Sequence, residues 1–301
     1  AWLIGGAAGI GKATLAYRMA RFVLAHRNPL GADVQSADAL WVDPAARRLA
    51  AGAHGGLLVL QRTTNDKGVM RTVITVDETR ETIHFFGSTA AAEGWRVCIV
   101  DTVDELNPNA ANALLKILEE PPRQSLFLLV SHSPGRVLPT ILSRCRRLPL
   151  RPLSKADVIQ AVSQATRLAS DDPSLIEAAE AAEGSVARTL TLLGGDAVKL
   201  HHKTAALLAS LPGIDPRELH ALGDALGGSD KVALATFVDS VDRWVGAHLR
   251  TEDPNADLPR LARLAEVWEK INRAARDTAE YNLERKPLVF SVFGMLAEAT
   301  R

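Results

Sequence analysis

A glycine-rich loop between a short strand and a helix is the feature that most constrains how this chain can fold. The chain opens with the apolar run Trp2–Ile4, continues as GGAAGIGKAT over residues 5–14, and then repeats apolar residues at helical spacing from Leu15 to Val23. This order predicts a P-loop, in which backbone N–H groups and a helix N-terminus face a phosphate. We therefore expect a parallel α/β sheet with flanking helices.

The loop supplies most of the candidate nucleotide ligands. The position after Lys12 normally holds Ser or Thr to bind Mg²⁺, but here it is Ala13. Thr14 comes one residue late, and a shift of one residue turns a helical side chain by about 100°. The alternative is a glycine-rich turn that binds nothing. The motif favours P-loop ancestry much more than it favours productive Mg-nucleotide chemistry. The candidate ligands in the loop are Gly6, Gly9, Gly11, Lys12 and Thr14.

A second informative stretch runs from Arg96 to Pro122, RVCIVDTVDELNPNAANALLKILEEPP. The apolar run Val97–Val100 predicts a strand that is buried on both faces. It ends on Asp101, at the edge of the sheet where open α/β folds bind ligands. Asn107 then caps a helix whose first residue is Pro108, a position where a missing N–H costs nothing.

Two parts of a hydrolytic site are absent from this pattern. Asp101 would hold Mg²⁺ through water beneath the loop. The glutamate that commonly follows this acid, and that orients the attacking water, is replaced by Thr102. Asp104 and Glu105 fall in the next turn and are not expected to point to the same place. Together with Ala13, this predicts a site that does not hydrolyse nucleotide.

The next strand leads to two further candidates. Gln124–Val130 is a second buried strand, and Ser131 at its end is a candidate for a hydroxyl near the γ-phosphate, with an ordinary turn serine as the alternative. The segment from Pro134 to Arg147 is basic. Such a segment is usually a solvated face, but an arginine at the far rim of a nucleotide domain can reach a neighbour's γ-phosphate. Its arginines are Arg136, Arg144, Arg146 and Arg147.

In this order and spacing, the segments GGAAGIGKAT, VDTVDELNPNAANALLKILEEPP and LPTILSRC resemble the clamp-loader branch of the AAA+ proteins. The asparagine-rich helix that ends in LEEPP, followed by a Ser-Arg-Cys triplet, is the most specific part. The motifs cover residues 1–150, and the remainder is similar only in its helical pattern and lengths. The resemblance implies a P-loop AAA+ domain over 1–150, a three-helix lid over 151–205 and an all-α oligomerisation collar over 206–301.

The resemblance also implies partners and an activity. Clamp loaders are pentamers that use ATP at subunit interfaces to open a sliding clamp and close it on primed DNA. The implied partners are motor (gamma/tau) and delta subunits, with the clamp and primed DNA reached through the assembled complex. Within this branch the chain looks like a stator without intrinsic ATPase, inside a DNA-directed DNA polymerase holoenzyme. It would present Arg144, flanked by Ser143 and Cys145, to the neighbouring motor subunit.

The chain departs from the family pattern in two places. Many relatives carry a four-cysteine zinc module between the P-loop helix and the acidic strand, but this interval has no cysteine, so no zinc is expected. A motor-type lid has an arginine directly after Gly-Ser-x, whereas here Ala187 follows and Arg188 is one place late. We therefore expect no required cofactor, with ATP or ADP at most in a degenerate P-loop, and we do not expect the lid to sense nucleotide.

Composition sets further bounds. The net charge is 0, which together with the lack of interleaved aromatic residues disfavours a DNA-binding module. Two lone cysteines, no signal peptide and no apolar run long enough to cross a bilayer predict a cytoplasmic protein without a membrane partner. Because the chain starts without Met, we expect a fragment that lacks its natural N-terminus. The enzyme alternative is a self-sufficient AAA+ ATPase that uses Lys12, Thr14 and Asp101.

Overall fold

The computed structural model describes residues 1–26, 29, 54–64, 70–87, 94–193, 196–227, 231–249 and 258–300. The chain forms two compact units, residues 1–153 and 154–301. Four hydrophobic clusters are found among the described residues, and each draws all its members from one unit. The division of the helical part into a lid and a collar stays a prediction, and its boundary after residue 205 falls inside a helix.

The first unit contains a sheet in which every described pair of neighbouring strands is parallel. The strand order is β2-β3-β4-β1-β5, so the strand that precedes the glycine loop lies between β4 and β5. The predicted parallel α/β architecture is therefore confirmed. The strands are β1 (Trp2–Gly5), β2 (Leu57–Leu60), β3 (Arg96–Asp101), β4 (Ser125–Ser131) and β5 (Arg146–Pro149).

The helices of this unit are α1 (Lys12–Ala25), α2 (Val76–Gly87), α3 (Pro108–Glu119) and the short α4 (Pro139–Leu142). Successive residues of β3 join different clusters: Val97 packs with residues of α1, whereas Cys98 packs with residues of α3. This alternation confirms the prediction of a strand that is buried on both faces. The predicted cap of α3 is also confirmed, because the Asn107 side chain accepts a hydrogen bond from the Ala110 N–H at 2.8 Å.

One local prediction is wrong. The alternation from Arg71 to Val76 suggests a strand, but among these residues the structure has only an isolated bridge at Ile74, and α2 begins at Val76. The reason is a capping box at the start of that helix. The Glu78 carboxylate accepts hydrogen bonds from the Thr75 N–H at 2.6 Å and from its hydroxyl at 2.9 Å. The sequence from Val76 to Phe86 predicts a helix followed by a turn, and the structure confirms this helix.

All the secondary structure described in the second unit is helical, as predicted. Its main core gathers leucine, valine and phenylalanine side chains such as Leu222, Phe237 and Phe293. The helices are α5 (Lys155–Thr166), α6 (Pro173–Ala181), α7 (Val186–Leu192), α8 (Asp196–Ala209), α9 (Pro216–Leu226), α10 (Lys231–Leu249), α11 (Leu258–Glu280) and α12 (Arg285–Thr300).

The spacing of Trp244, Trp268, Tyr281 and Phe290 predicts core positions rather than a ligand site. Trp244 and Trp268 pack against the main core, but Tyr281 is 66% exposed, so the prediction is wrong for that residue. It lies in the turn after α11, outside the helical periodicity on which the prediction depends. The turns expected around Gly194-Gly195 and from Thr251 to Asp257 lie outside the described residues, as does most of the stretch from Asn28 to Gly68.

Candidate functional site

Three strands end at the same edge of the sheet, and this edge carries the glycine loop. Gly5 at the end of β1 pairs with Ser131 at the end of β4, and Asp101 at the end of β3 pairs with Val130. The loop is fastened to this edge because the Gly6 N–H donates to the Ser131 carbonyl at 3.2 Å. The predicted loop, acid and strand-end serine therefore lie together.

Backbone geometry explains the glycines of the loop. Gly6, Gly9 and Gly11 have φ values of 152°, 76° and 93°, in the region where a side chain causes strain. At Gly6 there is also no space, since a Cβ atom would lie 2.6 Å from the carbonyl oxygen of Leu150. The loop thus needs glycine for its own fold, whether or not it binds a ligand.

Lys12 is turned into the loop. Its side chain is almost fully buried, at 3% exposure, and Nζ donates to the Ala7 carbonyl at 2.5 Å. Burial lowers the pKa of Lys12 to about 8, while the nearby carboxylates of Asp104 and Asp101 act in the opposite direction. The ammonium group is thus bonded to the loop itself and is stabilised electrostatically by two acids of the same unit.

Sequence reasoning missed the part played by Asp104. One of its carboxylate oxygens accepts from the Ser131 hydroxyl at 2.8 Å, and the other accepts from the His132 N–H at 2.5 Å. A short 3₁₀ turn, Val103–Glu105, carries this side chain to the end of β4. The Ser131 hydroxyl is therefore buried and already bonded. An acid three residues after the strand-end Asp101 is the only sequence signal for this arrangement, and it does not give the direction of the side chain.

Two positions around the loop differ from the residues expected of a site that hydrolyses a Mg-nucleotide. Ala13 has no hydroxyl, and Thr14 is exposed on the first turn of α1. Thr102, at the position of the usual glutamate, is buried at 4% exposure, and its hydroxyl has no hydrogen-bond partner among the described residues. A short buried side chain thus stands where the pattern would place a water-orienting glutamate.

The Ser-Arg-Cys triplet lies at the opposite edge of the sheet. It directly precedes β5, whose first residue, Arg146, pairs with Trp2 at the start of β1. The glycine loop follows the other end of β1, and a strand of four residues spans about 13 Å. The chain therefore keeps Arg144 away from its own glycine loop.

Arg144 makes three hydrogen bonds within this unit. Nη2 donates to Oε1 of Glu119, the last residue of α3, at 2.5 Å. Nη1 donates to the Thr140 carbonyl at 2.8 Å and faces the Ser143 hydroxyl at 3.3 Å. The side chain of Arg144 is still 32% exposed. Cys145 packs against the core, and burial raises the pKa of its thiol. The contact with Glu119 was not predicted from the sequence.

The contacts described for the Arg188 side chain lie within the helical unit. It is largely buried, forms an ion pair with Asp239 at 3.1 Å, and places Nη2 3.0 Å from Nδ1 of His201. Burial lowers the pKa of His201 to about 4, and the charge of Arg188 adds to this effect. Because a guanidinium can only donate, the imidazole nitrogen that faces it must accept, so the neutral histidine fits this position.

The described residues contain neither a cluster of metal ligands nor a helix that could cross a membrane. Nowhere in these residues do three or more His, Cys, Asp or Glu side chains come together as metal ligands. None of the described helices combines the length and the apolar character needed to cross a membrane.

A parallel sheet with a glycine loop between a strand end and a helix N-terminus defines the class of P-loop proteins. Comparison with known families narrows this class. The family described as "DNA polymerase III, delta subunit" matches residues 1–154, half of the chain. The chain belongs to this clamp-loader family.

Individual relatives agree with this assignment. The DNA polymerase III subunit delta' of Pseudomonas aeruginosa is 40% identical over 145 residues, which cover 48% of this chain and 41% of the relative. The delta' subunit of Escherichia coli is 30% identical over 267 residues, 87% of this chain and 74% of the relative. The gamma/tau subunit of Mycobacterium bovis is 29% identical over 247 residues, 80% of this chain and 41% of the relative. The chain thus spans about two fifths of the length of the Pseudomonas and Mycobacterium relatives.

Proposed function

We propose that the chain is a non-hydrolysing stator of the DNA polymerase III clamp loader, the role of a delta' subunit. In this role it presents Arg144 to the nucleotide of the adjacent motor subunit. The observation that carries the proposal is the position of Arg144 at the sheet edge opposite the glycine loop. An exposed guanidinium at that edge is too far from its own loop to act there, but it is free to face the loop of a neighbour.

The state of the glycine loop supports the stator role. Lys12 donates to the Ala7 carbonyl and is buried, so a phosphate would have to displace an existing contact. Ala13 and the buried Thr102 remove the metal hydroxyl and the water-orienting group. ATP or ADP at this degenerate loop is not required for the proposed role.

The proposed partners follow from the same role. A guanidinium presented in trans stabilises negative charge on a transferring phosphoryl group, and such a contact increases the rate by about 10³- to 10⁵-fold. The subunit that holds this nucleotide would be a gamma/tau motor subunit, and a delta subunit would complete the complex. The sliding clamp and primed DNA would be engaged by the assembled loader.

The proposal is tested in an assembled loader that carries Arg144→Ala. We expect the complex to assemble, as judged by native mass measurement, while ATP turnover at the interface with this chain falls by about 10³-fold or more. Arg147→Ala is the matched control, because Arg147 is an exposed arginine of the same basic segment and makes no ion pair among the described residues. Equal turnover and clamp loading in the two variants would remove the assignment of Arg144.

A motor-type ATPase is the second candidate. It is favoured by the similarity to gamma/tau subunits, which extends over 80% of this chain. In that case Lys12, Thr14 and Asp101 would bind and turn over ATP at the chain's own glycine loop, without another subunit. ATP turnover by the isolated chain decides between the two candidates.

A further inference from the structure

We infer that Glu119 is a positioning residue for Arg144. The inference rests on the proposed function of Arg144 and goes beyond it, because it assigns a role to the helix that ends in LEEPP. Glu119 is the last residue of α3, and Arg144 follows α4, so the two residues come from separate elements. Their contact joins the two segments on which the family resemblance depends most.

The contacts of Arg144 hold one part of its guanidinium group. A guanidinium has five N–H donors in a fixed plane. Glu119 binds Nη2, and the Thr140 carbonyl and Ser143 hydroxyl lie at Nη1. These contacts use both hydrogens of Nη1 and one of the two on Nη2. The second hydrogen of Nη2 and the Nε–H therefore remain for a phosphate oxygen outside the unit.

The anchors are themselves fixed. The Ser143 hydroxyl donates to the Thr140 carbonyl at 3.0 Å, so both acceptors at Nη1 belong to one short turn. Glu119 lies on a helix whose Leu114 and Leu118 are buried in the core. Arginine loses much rotamer freedom when it is held in one conformation. A guanidinium that is already held before a neighbour binds has less freedom to lose at the interface.

The expected size of the effect follows from exposure. The side chains of Glu119 and Arg144 are 50% and 32% exposed, and pairs of this kind contribute modestly. We therefore expect the loss of Glu119 to lower turnover by about two- to fivefold, far less than the loss of Arg144 itself. The reduction should appear in kcat, because Arg144 would act on the transition state rather than on nucleotide binding.

The experiment is a double-mutant cycle in the assembled loader, read as the kcat and KM of ATP turnover. Glu119→Ala should lower kcat with KM unchanged, Glu119→Gln should retain part of kcat because its amide oxygen still accepts, and Glu119→Ala should have no further effect when combined with Arg144→Ala. Glu120→Ala is the control, since Glu120 is the exposed neighbour and makes no ion pair in the described part of the chain.

Each outcome has a distinct meaning. If Arg144→Ala lowers turnover while Glu119→Ala leaves it unchanged or raises it, the positioning role is wrong and the proposed function stands. If Arg144→Ala has no effect, the proposed function itself fails. An equal loss from Glu119→Ala with and without Arg144 would assign the effect to the fold instead and overturn the inference. If Glu119→Ala does not assemble, the cycle with Glu119→Gln gives the same three comparisons.

Discussion

At the scale of single residues, Lys12 is a charged side chain that the fold buries in the glycine loop. Its ammonium group donates to the Ala7 carbonyl, and the contact of this lysine with a phosphate, which the motif predicts, stays a prediction. Burial of a charged amine costs free energy, which the carboxylates of Asp104 and Asp101 offset in part. The charged form of Lys12 therefore lowers the stability of the folded state.

This leads to a prediction for Lys12→Met. The pKa of Lys12 is about 8 in the folded chain instead of 10.5, so between these pH values the unfolded chain binds more protons and stability should rise with pH. Lys12→Met has no ammonium group to bury, so it lacks this destabilisation of the folded state and its pH dependence. We expect it to be more stable than the unmodified chain at pH 7, by about 1–3 kcal/mol, with the difference shrinking as the pH approaches 10.5.

Urea unfolding midpoints at pH 7 and pH 10.5 provide the measurement. Lys116→Met is the matched control, because Lys116 is an exposed lysine on α3 and should give no comparable difference. A variant at Lys12 that is less stable than the unmodified chain at pH 7 would contradict the argument from burial.

At the scale of elements, the sequence was sufficient wherever a local signal and the apolar pattern agreed. The strand Val97–Val100 and the cap at Asn107 were predicted because their signals lie within a few residues. The structure of the segment from Arg71 to Val76 was predicted wrongly. Its alternation favours a strand, but Thr75 and Glu78, three residues apart, form the hydrogen bond that starts a helix. Local hydrogen bonds decided that competition.

Glu78→Ala tests the strength of this helix start. It removes the acceptor for the Thr75 N–H and hydroxyl and for the Thr63 hydroxyl, and we expect a loss of about 0.5–2 kcal/mol in the free energy of unfolding at pH 7. Although burial alone would raise the pKa of Glu78, these hydrogen bonds lower it overall. The stabilisation is therefore present above the ordinary pKa of 4.5 and is lost as the pH falls through the lowered value.

Urea unfolding at pH 7 and at pH 3 measures this effect, and the gap in stability between Glu78→Ala and the unmodified chain should narrow at the lower pH. Glu81→Ala on the same helix is the control, because Glu81 is exposed and makes no hydrogen bond or ion pair in the described part of the chain. A gap that stays constant with pH would argue against the capping box.

At the scale of the whole molecule, the contacts between distant segments were out of reach of the sequence. Asp104 reaches Ser131 across 27 positions, and Arg144 reaches Glu119 across 25. Periodicity and motif spacing report on the nearest residues, whereas these pairs depend on how β3 and β4 are placed side by side. The residues of the candidate site could thus be named from the sequence, but the partners that hold them could not.

For the chain as a whole we predict no ATP hydrolysis in isolation. The missing hydroxyl at Ala13 and the buried Thr102 remove two groups on which the reaction depends. The measurement is phosphate release by the purified chain, with Lys12→Ala as the control for contaminating activity. Steady release that Lys12→Ala abolishes would favour the motor-type candidate over the stator.

The placement of Arg144 and the glycine loop at opposite edges of one sheet has a consequence for any ring that includes this chain. If Arg144 acts as proposed and the glycine loop turns over no ATP, such a subunit would donate a catalytic group at one interface and hold no active site at the other. A series of active interfaces could then end at this chain but could not continue through it. The ring would have fewer active sites than subunits, and this one component would fix where the series ends.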